Sequence, residues 1–226
     1  WSGNRFQNME QLVWAVEHFD VVGVAVEYRQ SGYAFDPVAG MGYDRPYDAS
    51  FYQVFDVLNG LRTVLDLRAG INGRRLFHYG VSQGGHTALL GTIFAPETFA
   101  FVYASSPITH LAELDQGLAG RTWSLWELAL RDVRTLAEYI DTPLFIEHGD
   151  QDPRVPHSTH CIPLHEKLEA LGKEHRVEYL EGADHALEPV TTRLDSFKEH
   201  APDPLRMYQR EHGGDDFAQG RSVRIP

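Results

Sequence analysis

The chain of 226 residues carries a single cysteine, Cys161. No disulfide can form within it, and one free thiol suits a reducing compartment such as the cytoplasm without requiring one. Long apolar runs are lacking too. None approaches the roughly 18 residues that a membrane-spanning helix needs. No signal peptide is visible, but the sequence opens on Trp1 rather than Met, so a leader is left open. Cations are scarce: 20 Lys and Arg stand against 32 Asp and Glu, for a formal net charge of -12. They form no extended cluster, which argues against nucleic acid as a partner. There is no phosphate loop and no dinucleotide fingerprint, so no cofactor is expected. Internal repeats and low-complexity tracts are also missing.

What is present is ordinary in composition. Apolar residues make up 42% and charged residues 23%, the mix of a soluble globular protein. The length suits one α/β domain with a sizeable core. Four short apolar stretches bounded by turn residues read as buried parallel strands: 21–28 (VVGVAVEY), 75–79 (RLFHY), 99–104 (FAFVYA) and 144–147 (LFIE). The last begins directly after Pro143, a residue tolerated at a strand's start but not in its middle. A fifth, 176–180 (RVEYL), is more polar.

Helical patterns lie between them, at 8–18, 51–67, 84–94, 124–140, 158–171 and 190–200. Strands alternating with helices predict a mostly parallel sheet with helices on both faces, spanning residues 1–200. Residues 108–142 exceed a simple crossover and predict a helical excursion with Trp123 and Trp126, either extra packing or part of a pocket wall. Residues 201–226 form a polar tail expected to be loose or laid over the surface.

Residues 80–84 read Gly80-Val81-Ser82-Gln83-Gly84, a match to G-x-S-x-G. Context raises its value, because an expected strand precedes it and an expected helix follows. Glycines on either side tolerate the strained backbone of a sharp turn. Such a turn lifts the Ser82 hydroxyl above the strand ends. It also places the Gln83 N–H at a helix N-terminus, where it can donate to a developing oxyanion.

A serine hydroxyl needs a base, usually a histidine held by a carboxylate. In this arrangement the chain order is serine, acid, histidine. The loop after 144–147 offers two acids, Asp150 and Asp152. Twelve histidines are present, so position must discriminate. His185 follows the last expected strand and precedes the last helix, which puts it on the same edge as Ser82. His78 lies within a strand, His86 in the helix behind Ser82, and His148 at the start of the acid loop; these read as core or structural groups. His157, His160, Cys161 and His165 have near-helical spacing, but zinc signatures pair ligands from two elements, so no metal is expected.

Together these residues resemble the catalytic domain of the prolyl oligopeptidase family, within the α/β-hydrolase superfamily. The likeness covers most of residues 5–200. It is carried by Val26-Glu27-Tyr28-Arg29-Gln30-Ser31-Gly32-Tyr33, by Gly80–Gly85, by 99–107 (FAFVYASSP), by His148–Pro156 and by Asp184-His185. Gln30 and Gln83 depart from the family's common residues, and the Ser-Gln-Gly-Gly turn also resembles sugar-acetate esterases. The family pattern H-G-x-x-D-x-x-V-P selects Asp152 as the acid and leaves Asp150 as a turn former.

The resemblance implies a serine hydrolase with Ser82, Asp152 and His185 as triad, acting on a short peptide or a small ester. A carboxylesterase and an inactive binding module of the same fold remain as alternatives. The resemblance also implies a central strand that would precede Trp1. The natural protein is therefore expected to continue N-terminally, with a second oxyanion donor from that loop, shared with the amide of Trp1 or Ser2. Oligomeric state is not legible.

Overall fold

The computed structural model describes residues 9–29, 50–111 and 123–212. The backbone divides into two compact units, Trp1–Ile71 with Ala112–Leu128, and Asn72–Leu111 with Ala129–Pro226.

The second unit is built on four strands: β1 (Phe77–Val81), β2 (Phe101–Ser105), β3 (Leu144–Gly149) and β4 (His175–Leu180). They pair in chain order, all parallel, with Tyr79 opposite Tyr103, Ser105 opposite Glu147, and Glu147 opposite Glu178. The apolar runs explain this. Val102, Ala104 and Ile146 have no exposed surface at all, as expected of strands covered on both faces. Strands β1, β2 and β3 extend one or two residues past the C-terminal ends of the expected runs, and β4 ends at Leu180 as expected.

Parallel strands need crossovers. Helix α3 (Gln83–Phe94) joins β1 to β2 and is buried from Gly85 to Phe94, matching a segment apolar all round. Helix α5 (Cys161–Ala170) joins β3 to β4 and buries Cys161, Leu164 and Leu168, one stripe at helical spacing. Helix α6 (Arg193–His200) follows β4. Adjacent residues of β1 show that α3 and α6 lie on opposite faces. The His78 ring approaches Gly91 of α3, whereas the Tyr79 ring meets Phe197 of α6 at 4.9 Å.

Residues 201–212 continue as helix α7 (Pro202–Met207) and then cross the base of the sheet. Tyr208 stacks on Phe101 at 4.9 Å, and Arg210 donates to Pro96 O at 2.8 Å. Residues 213–226 lie outside the described residues.

Two expectations need correction. Residues 124–140 do not form one helix. They contain a short helix α4 (Leu125–Ala129) and a single 3₁₀ turn (Ala137–Tyr139). Asp132 is the reason: its carboxylate accepts from Arg134 N at 3.0 Å, a local bond that competes with helix propagation.

The other correction concerns the first unit, which contains α1 (Met9–His18) and α2 (Tyr52–Leu67). Residues 21–28 were expected as a buried strand, yet they form no strand, and Val22 is 61% exposed. A strand exists only where a neighbour completes its hydrogen bonds, and none of the described residues does so here. The segment is tied to α2 instead. Arg29 holds Asp56 through Nη2 at 2.6 Å and Nε at 2.8 Å, and Gln53 Nε2 donates to Arg29 O at 3.0 Å. Among the described residues, no helix is long and apolar enough to cross a membrane.

Candidate active site

The Ser82 turn joins β1 to α3. Ser82 has φ 55° and ψ -113°, a region costly for a residue with a Cβ. The surroundings hold it there. Ser82 N donates to Ser105 O at 2.9 Å, while Ser82 O accepts from His86 N at 3.0 Å and Ile108 N at 3.2 Å. Gly80 is required by proximity, since a Cβ at this position would sit 2.1 Å from Gly84 O. Gln83 is the first residue of α3, so its N–H lies at the positive end of the helix dipole.

The acid loop leaves β3 at Gly149. A Cβ there would lie 2.3 Å from Ala183 O, so a glycine lets this loop close on the loop that carries His185. Gln151 N donates to Ala183 O at 3.0 Å, and Asp150 Oδ1 accepts from Gly182 N at 2.8 Å. Asp150 is thereby used in joining the two loops, and Asp152 faces His185.

Asp152 is buried and saturated. Its Oδ1 accepts from Arg154 N at 2.8 Å and Val155 N at 2.9 Å. Its Oδ2 accepts from His185 Nδ1 at 2.6 Å and from His148 Nε2 at 3.2 Å. Burial alone would raise its pKa. The His148, His185 and Val155 hydrogen bonds outweigh that and hold the carboxyl below the usual carboxylate range. A carboxylate can only accept, so the proton on His185 belongs on Nδ1, which leaves Nε2 with its lone pair available.

The structure thus brings Asp152 and His185 into direct contact. Ser82 is linked to them less directly. Among the described residues none hydrogen-bonds the Ser82 hydroxyl, so the Ser82–His185 bond is not formed in this structure. The path between them runs through Ser105 and Ser106: Ser82 N donates to Ser105 O, and Ser106 Oγ donates to His185 O at 3.3 Å. Trp1 and Ser2, the expected sources of a second oxyanion donor, lie outside the described residues, as does the segment 30–33.

The other histidines have structural surroundings. His78 is fully buried in β1, and burial lowers its pKa to about 4. His86 Nε2 donates to Arg131 O at 2.8 Å, and its Nδ1 accepts from Arg131 Nη2 at 3.1 Å. His148 Nε2 is shared between Asp152 and Val155 O, the latter at 2.7 Å. In the helical cluster, His160 Nδ1 accepts from Thr109 N at 3.1 Å and His165 Nδ1 meets Tyr179 OH at 2.9 Å. Cys161 is buried, which pushes its thiol up to about 12. Among the described residues, no group of three such side chains could hold a metal ion.

Three residues around the site were not singled out from the sequence: Ser106, Glu147 and Arg193. Each left a trace. Glu147 is a charge inside an apolar strand run, and Arg193 opens a helix, where a cation opposes the dipole.

The model of the prolyl oligopeptidase family matches residues 47–201, more than half of the chain. No curated protein sequence matches. Solved structures do. Dipeptidyl peptidase 4 from Porphyromonas gingivalis superposes with a TM-score of 0.61 at 18% identity, covering 69% of this chain and 23% of that one. Acylaminoacyl peptidase from Pyrococcus horikoshii gives 0.60 at 18% identity, covering 72% and 29%. This chain therefore spans less than a third of either relative. The likeness is one of fold, the parallel sheet with helices on both faces of an α/β-hydrolase. With the match running over residues 47–201, a span that includes Ser82, Asp152 and His185, the chain belongs to the prolyl oligopeptidase family.

Proposed function

We propose that this chain carries the catalytic machinery of a serine peptidase that cleaves short peptides by acyl transfer. Ser82 Oγ attacks the scissile carbonyl while His185 Nε2 takes its proton. Asp152, bound to Nδ1, fixes the tautomer and stabilises the imidazolium. Gln83 N–H, with an N-terminal amide at Trp1 or Ser2, donates to the oxyanion. The tetrahedral intermediate expels the amine, which leaves with the proton from His185. Water, deprotonated by His185, then attacks the acyl-enzyme and releases the acid and Ser82.

One observation carries this reading: His185 Nδ1 donates to the buried, fully hydrogen-bonded Asp152 at 2.6 Å, on the strand-end edge that also holds the strained Ser82 turn. Two imidazoles and two amides on one carboxyl are more than packing requires. The test is fluorophosphonate labelling of the full-length protein, followed by turnover of peptide anilides, aryl esters and acetylated sugars. The expected result is labelling that disappears in Ser82→Ala, with anilide turnover. Ester turnover alone would make the protein an esterase, and a folded protein that does not label would be a binding module.

A further inference from the structure

One dipeptide touches the Ser82 turn, strand β3 and the His185 loop. Ser105 O accepts from Ser82 N at 2.9 Å, and Ser106 N donates to Glu147 O at 2.8 Å, next to the acid loop. Ser106 Oγ then donates to His185 O at 3.3 Å. Ser106 has a φ of 44°, a strained value that persists only where the surroundings dictate it.

The His185 carbonyl has a second donor. Arg193 Nη2, from the first residue of α6, hydrogen-bonds the same oxygen. A cation at a helix N-terminus opposes the dipole, so something must hold it there. Burial lowers its pKa, and Tyr79, Glu147, Asp152 and Asp184 act the other way, favouring the cation. Glu147 also fixes the helix itself. Its buried carboxyl accepts from Ser196 Oγ, one turn along α6 from Arg193, and the Tyr103 hydroxyl lies 3.2 Å from the same Ser196 oxygen.

We infer that Ser106 and Arg193 form a two-donor clamp on the His185 carbonyl that sets where the His185 ring stands relative to Ser82. The inference rests on the hydrolase reading above. Its mechanical sense is simple. Asp152 fixes the Nδ1 end of the ring, and the clamp fixes the peptide from which the side chain springs. Two fixed points determine Nε2; with one, the ring pivots about the Asp152 bond. Neither residue reaches the reacting atoms, so both are positioning residues.

The test uses the full-length protein with Arg193→Ala, Arg193→Lys, Ser106→Ala and Ser106→Gly, and Lys198→Ala as a control that removes another cation from α6. Turnover of a peptide p-nitroanilide gives kcat and KM. Proton NMR follows the downfield signal of the Asp152-bound Nδ1–H of His185. Arg193→Ala should lower kcat by about tenfold to a hundredfold, the usual cost of a misplaced group. KM should stay within about twofold, since a positioning group acts on the chemical step. Added ethylguanidine should restore part of kcat, which a general loss of stability would not allow. Arg193→Lys should retain more activity, and Lys198→Ala should match the wild type.

Both Ser106 variants should lose activity, because glycine relieves the backbone but supplies no hydroxyl. Wild-type kcat in folded Arg193→Ala and Ser106→Ala would overturn the clamp, as would full activity in Ser106→Gly. A wild-type protein that neither labels nor turns over would sink the hydrolase reading instead. The NMR signal then still decides the clamp: broadening in Arg193→Ala and Ser106→Ala supports it, and an unchanged sharp signal refutes it.

Discussion

The two halves of the candidate site are held in different ways. The Ser82 turn is local: Gly80, Ser82, Gln83 and Gly84 lie within five residues, and the strained φ of Ser82 is set by bonds from β2 and α3. The acid–base half is assembled from loops 33 residues apart, whose contacts run through a carboxylate and an absent Cβ at Gly149. Short-range geometry leaves a motif in the sequence. Long-range geometry leaves only residue types in an order. The same contrast predicts that each half can be damaged separately.

After the loss of Ser82 itself, the largest effect should come from the acid. Asp152→Asn keeps the shape but lets the amide donate, which favours the wrong His185 tautomer. We expect kcat to fall on the order of 10⁴-fold, with anilide kinetics as the measure. A drop of less than tenfold would mean that Asp152 is not the orienting acid.

The glycines come next, and they separate the halves. Gly80→Ala forces a Cβ to within 2.1 Å of Gly84 O, so the β1–α3 turn must open. Fluorophosphonate labelling of Ser82 should fail while the downfield His185 signal persists. Gly149→Ala puts a Cβ 2.3 Å from Ala183 O and should remove the His185 signal, and with it the labelling that depends on His185 as base. Each should also cost about 1–3 kcal/mol of stability, as overpacking usually does, readable by urea unfolding. Identical phenotypes from the two would break the comparison.

The smallest effects are in the pH dependence of stability. His78 lies in β1 beside the Phe99 ring, and burial lowers its pKa from 6.5 to about 4. Between those values the unfolded chain binds a proton that the folded one refuses, so stability is lost as pH falls from 6.5 towards 4. His78→Phe should remove that loss, up to about 3 kcal/mol. Asp152 acts lower on the scale. Its carboxyl is held below the ordinary 3.8, so its contribution is present above that pH and disappears as pH falls further. Asp152→Asn should flatten only this acid limb. Urea midpoints measured at pH steps from 7 to 2 would test both.

Much of this was legible in advance. Strands β1 to β4 and helices α3, α5 and α6 stand where short apolar runs and helical spacing put them, because burial is what those patterns record. The strained turn at Ser82 could be read because it is contiguous. Residues 21–28 misled for the same reason that the others succeeded. Their apolar pattern resembles a buried strand, but a pattern does not supply a neighbour, and Val22 is left exposed. Residues 124–140 misled because the Asp132 side chain bonds its own backbone, an effect that spacing does not record.

The sequence by itself determined the alternation of strands and helices, the strained serine turn, and the order of serine, acid and histidine. Those follow from local sterics and from which side chains avoid water. Only the tertiary structure decided that Asp152 meets His185 while Asp150 ties down Gly182. It alone placed Ser106 and Arg193 on the His185 carbonyl and Glu147 beneath them. These are contacts between segments far apart in the chain. Their partners are chosen by the register of the sheet and the packing of α6, which no stretch of sequence contains.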